Sequence, residues 1–127
     1  MHERLLIETF VIKERQERYL NLLQTKKGRS KLRSYIAHFK DLNRQFLHEA
    51  KNLQIPKDLE ELLKSNGGTD TCYVISENSD YDGASMNLAK ATDALFNSGI
   101  AYFLSSIPGK LAYYEGEERN ERFLLRI

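Results

Sequence analysis

Glu77, Asn78, Asp80 and Asp82 crowd oxygen-bearing side chains into six positions of the stretch SENSDYDG, residues 76–83, which Gly83 closes. The alternation Asn78-x-Asp80-x-Asp82-Gly83 matches the first half of a calcium-binding loop, where alternating oxygens wrap the ion and a glycine makes the bend. The second half does not match. Its twelfth position, where a bidentate Glu would close the shell, is Ala89, and the run before the loop reads as strand rather than helix. The same carboxylates can serve as general acid and base only if a pocket separates their pKa values. The competing reading is a strand-to-helix turn in which Asp82 or Ser85 caps the helix and the acids favour its positive end. The missing Glu favours the turn.

A second cluster is basic. Lys26, Lys27, Arg29, Lys31 and Arg33 take five of eight positions, and Arg15, Arg18, Lys40 and Arg44 extend it. Phosphate groups are bound by positive charge clustered in this way. Glu14 and Glu17 interrupt the run, and the pI of 7.8 lies below the value of about 9 typical of nucleic-acid-binding domains. A solvated turn between two helices is the favoured reading. Tyr102, Tyr113 and Tyr114 are the candidate exposed aromatics for stacking bases, without an RNP-type motif around them.

Other chemistry lacks its frame. Ser105-Ser106 has no G-x-S-x-G around it and no histidine near in sequence. His2, His38, His48 and the single cysteine, Cys72, show no zinc-ligand spacing. The turn NGGTD has no P-loop lysine. No cofactor, metal or catalytic residue is assigned on these grounds.

These residues must be positioned by two kinds of segment. Residues 1–66 read as helices: Leu32, Tyr35, Ile36 and Phe39 fall at i, i+3, i+4, i+7, with Ser30 as cap and Gly28 as a break before it. Residues 41–54 are too sparse in apolar positions to decide. Pro56 opens a short helix that Asn66-Gly67-Gly68 stops. Residues 70–127 then read β-α-β-β-β: TCYVIS, a helix over 85–98, two strands about Pro108-Gly109, and RFLLRI. Pairing Ile107 with Lys110 sets Phe103 opposite Tyr114 and Leu104 opposite Tyr113, although a Pro-Gly turn suits a two-residue hairpin poorly. Both faces of these strands are apolar, so helices cover both or a partner covers one. Phe123, Leu125 and Ile127 are expected on one face.

The expected fold is α+β: a helical N-terminal part packed on a small, mainly antiparallel four-stranded sheet with one embedded helix, in one domain over 1–127. With 41% hydrophobic and 29% charged residues, the chain belongs with neither disordered nor membrane-embedded proteins. The absence of a signal-peptide pattern in MHERLLIETF and the lone Cys72 point to the cytosol. Residues 1–55 hold twelve Lys/Arg against six Asp/Glu, and residues 56–127 hold seven against twelve. That asymmetry speaks of partners. The expected function is a non-enzymatic protein-interaction module, an adaptor, inhibitor or immunity-type partner, with self-association a further outcome. RNA or DNA binding through 26–44 is the alternative, and an enzyme using the 77–82 acids is a third.

Overall fold

A computed structural model describes residues 1–118 and 121–127. Among them are five α-helices, α1 (His2–Phe10), α2 (Lys13–Leu22), α3 (Lys26–Ile36), α4 (Pro56–Ser65) and α5 (Leu88–Leu95). The strands are β1 (Leu47–Glu49), β2 (Thr71–Ser76), β3 (Ser85–Asn87), β4 (Tyr102–Ile107), β5 (Leu111–Glu115) and β6 (Arg122–Arg126). They form one antiparallel sheet in the order β1-β6-β5-β4-β2-β3. The fold is α+β, with six strands rather than four.

Both additional strands lie at the sheet edges and are three residues long. β1 arises in the undecided segment 41–54 and pairs Leu47 with Leu125 and Glu49 with Phe123. β3 takes the first residues of the expected 85–98 helix. Asn87 pairs with Thr71 through its backbone, while its side chain accepts from Lys90 N–H at 3.2 Å and caps α5. That cap fixes the helix start at Leu88, so neither Asp82 nor Ser85 caps it. Short edges also limit pairing with other chains.

The helix expected around Tyr35 begins earlier than its periodicity suggests. Thr25, not Ser30, is the cap, accepting from Gly28 N–H at 2.9 Å. Gly28 lies inside α3 rather than before it, because the chain doubles back tightly from α2. A Cβ there would stand 2.4 Å from the Leu22 carbonyl oxygen, and only glycine admits that approach. At α4, Pro56 occupies the first turn and the Asp58 carboxylate accepts from the Gln54 and Ile55 N–H groups at 2.8 and 3.1 Å.

The sheet is covered on both faces from within the chain. On one face Leu6, Phe10 and Ile36 of α1 and α3 pack on Ile75, Ala101, Phe103, Ala112, Tyr114 and Leu125. On the other, Leu59, Leu63, Leu88, Ala91 and Leu95 of α4 and α5 pack on Cys72, Val74, Tyr102, Leu104, Tyr113 and Leu124. Each fully buried leucine contributes about 1.5–3 kcal/mol by leaving water. The expected register holds at Phe103↔Tyr114, Leu104↔Tyr113 and Ser105↔Ala112, then shifts so that Ile107 pairs with Leu111. This bulge carries Ile107 to the face of Tyr102 and Leu104, whereas unbroken alternation from Phe103 would put it on the other. At the C-terminus Phe123 and Leu125 share the α1/α3 face, but Ile127 lies beyond β6 and is 60% exposed.

Candidate functional site

The acidic stretch turns inward to join β2 to β3. Asp82 accepts from Arg29 Nε at 2.7 Å and Nη2 at 3.1 Å, and from the Ser76 N–H at 3.0 Å. Its side chain is 4% exposed. Glu77 accepts from the Ala101 N–H at 2.8 Å. Burial raises its pKa, with Glu117 nearby adding to the effect. Asn78 Oδ1 accepts from the Asp80 N–H at 2.9 Å, an Asx turn that leaves Asp80 at the exposed tip. Gly83, at φ +81°, completes the reversal. Among the described residues no group of three or more His, Cys, Asp or Glu side chains is placed to hold a metal ion.

Arg29, read from sequence as part of a surface patch, is the partner of that loop. It pairs with Glu3 on α1 as well as with Asp82. Its hydrogen bonds to Glu3, and then to Asp82, hold the guanidinium charge more firmly than usual. Lys26, Lys27 and Lys31 remain exposed, and Arg33 lines an open cleft of about 300 Å³ with Ser30, Ser34, Glu77 and Ser79. The five residues of the basic cluster therefore divide between the fold and the surface.

The other cations converge elsewhere. Arg15 and Arg18 of α2, Tyr35 of α3, and His38, Lys40 and Asp41 after it line a cleft of about 270 Å³, with Tyr19 and Phe39. Arg18 Nη2 donates to Tyr35 Oη at 2.9 Å, its Cζ 5.4 Å from the ring centroid. Tyr19 Oη donates to Asp41 Oδ2. Burial and that carboxylate raise the Tyr19 pKa. Among the described residues no carboxylate pairs with Arg15, Arg18 or Lys40. Arg44 sits apart, in a 3-10 turn before β1.

Two polar groupings were not read from the sequence, although the second was accessible there. His2 Nδ1 lies 2.7 Å from Ser105 Oγ, and its ring stacks on Tyr73 at 5.3 Å and 6°. A hydroxyl beside an imidazole is the beginning of a nucleophilic pair. Ser105, however, is 1% exposed at the centre of β4, and no substrate carbonyl reaches it in this conformation. The pair stitches α1 to the sheet, and burial lowers the His2 pKa.

The second grouping centres on Glu115, which is 3% exposed. Its Oε1 accepts from Tyr102 Oη at 2.9 Å and Tyr113 Oη at 2.8 Å, and its Oε2 from the Asn97 N–H at 2.8 Å. Arg122 Nε approaches within 3.6 Å, while its Nη groups donate to the Leu53 carbonyl and Asn97 Oδ1, and its Cζ lies 4.6 Å from the Phe96 ring centroid. Tyr114 Oη donates to the Ile36 carbonyl at 2.6 Å and accepts from the Phe39 N–H at 3.0 Å, which satisfies the end of α3. Burial pushes its phenol up to about 12. Tyr102, Tyr113 and Tyr114 are thus core residues, not the stacking surface expected of them. Alternation along β5 already puts Tyr113 and Glu115 on one face, and the hairpin register puts Tyr102 opposite Glu115. That signal was present in the sequence.

The buried Cys72 thiol is free, and burial pushes it up to about 11, so it is a packed apolar group rather than a nucleophile. Among the described residues no helix is long and apolar enough to cross a membrane. Comparison with protein-family models, with curated proteins and with solved structures returns no match to this chain.

Proposed function

We propose that this chain is a small cytosolic, non-enzymatic protein-interaction module of adaptor, inhibitor or immunity type, and that it meets its partner through its cationic helical layer. Uncompensated charge carries this reading. Of the Lys and Arg residues from 13 to 44, only Arg29 is ion-paired among the described residues. The acids that could have served chemistry are engaged instead: Asp82 by Arg29, Glu77 by a backbone N–H, and Glu115 by two phenols. Unpaired surface cations beside tyrosine are well suited to steering and anchoring an acidic partner.

RNA or DNA binding is the second reading, favoured by Lys26, Lys27 and Lys31 standing exposed together on α3. It loses support because the tyrosines that would stack bases are buried. Anisotropy titrations of a thymidine and a uridine oligonucleotide at about 50 and 150 mM salt discriminate the two, since phosphate contacts weaken steeply with salt. The protein-interaction reading expects only loose binding at the lower salt. Submicromolar binding at the higher salt, lost on changing Lys26, Lys27, Lys31 and Arg33 to Gln, would make the nucleic-acid reading the correct one.

A further inference from the structure

Arg15 and Arg18 stand three residues apart on α2, so they share one side of that helix. Lys40 and His38 face them across the cleft, from the segment that follows α3. The Tyr35 hydroxyl and ring already hold Arg18 in place, which reduces the side-chain entropy that binding would otherwise remove. Among the described residues no carboxylate forms an ion pair with the two arginines or the lysine. Asp41, the one acid among the described residues lining the cleft, is turned to the Tyr19 hydroxyl.

We propose that this cleft docks an acidic segment of a protein partner, taking Asp or Glu side chains between Arg15, Arg18 and Lys40. The proposal rests on the chain being a protein-interaction module and narrows that function to one site. Three observations select this occupant. First, at about 270 Å³ the open cleft has room for one or two side chains of a larger partner. Second, arginine and tyrosine side by side are the residue types that dominate protein interfaces. Third, Asp41 retains acceptor sites beyond its bond to Tyr19. A peptide brings backbone N–H donors alongside its carboxylates and can satisfy Asp41, whereas a phosphodiester backbone offers it no donor.

The test uses the full chain and a short fluorescein-labelled peptide rich in Glu and Asp, with a Gln/Asn peptide of the same length as control. Two triple variants are compared, Arg15→Glu/Arg18→Glu/Lys40→Glu in the cleft and Lys26→Glu/Lys27→Glu/Lys31→Glu on α3. All six side chains are exposed, so unchanged melting curves are expected for both. A milder pair, Arg15→Gln/Lys40→Gln, keeps the Arg18–Tyr35 contact. The acidic peptide should bind the wild type, the neutral peptide should not, and the cleft variant should lose at least about tenfold in affinity while the α3 variant loses little. Equal losses in both triple variants would overturn the cleft and leave the interaction module standing. No peptide binding at all would overturn the cleft as well, and tight oligonucleotide binding beside it would overturn both.

Discussion

Arg29 and Asp82, fifty-three residues apart, form a two-point ion pair in which Nε and Nη2 of the guanidinium reach the carboxylate at 2.7 and 3.1 Å. Glu3 holds the same guanidinium from α1. One arginine therefore joins α1, α3 and the β2–β3 turn. A basic and an acidic stretch of the chain meet here, and each supplies the other's partner.

Breaking this pair should be costly. Arg29→Ala leaves the Asp82 carboxylate buried with only the Ser76 N–H, and is expected to destabilise by about 3 kcal/mol. Asp82→Asn keeps the shape and a hydrogen bond, with a loss of about 1–2 kcal/mol. Urea denaturation of both variants measures this. Equal stability of Arg29→Ala and wild type would remove the clamp from the account of the fold.

The Glu115 centre should respond more sharply to loss of the acid than of either phenol. Glu115→Ala strips the Tyr102 and Tyr113 hydroxyls and Arg122 of their shared acceptor, at an expected 3–5 kcal/mol, about that of a broken buried pair. Tyr113→Phe should lose only about 1 kcal/mol. A double-mutant cycle between residues 113 and 115 is expected to show coupling, and strict additivity would contradict the network.

These two groupings show what sequence pattern conveys and where it stops. The β4–β5 hairpin was legible because Pro108-Gly109 interrupts two apolar runs, and register followed by counting from it. The bulge that turns Ile107 over was not, since it depends on how that turn closes. β1 and β3 were missed because three residues carry no periodicity. The Arg29–Asp82 and His2–Ser105 pairs join positions far apart along the chain, and only the packed helices bring them together. Charge clusters along a chain convey composition, not which members face inward.

His2 supplies a pH dependence. Its folded pKa is lowered from 6.5 by burial, so the unfolded chain takes up the proton first as pH falls. The contribution of His2 to stability is complete above 6.5 and is lost as pH drops through its lower folded value. Melting temperatures across this window should fall less steeply for His2→Gln than for the wild type. Parallel profiles would show that the ring is not held neutral against Ser105.

Gly28→Ala should destabilise although alanine favours helices by about 1 kcal/mol. The new methyl would stand 2.4 Å from the Leu22 carbonyl oxygen, so α2 and α3 must move apart. A lowered Tm is expected, and a raised one would show that the two helices yield freely.

Recovery and reconstitution of the natural complex tests the interaction function most directly. The tagged chain is crosslinked in its own cells, its partner is identified and purified, and calorimetry compares the wild type with Arg15→Glu/Arg18→Glu/Lys40→Glu. The expected result is a stoichiometric protein complex whose affinity falls by at least about tenfold in the variant and weakens with salt, as steered acidic–basic pairs do. Recovery of nucleic acid in place of a stoichiometric protein would contradict it.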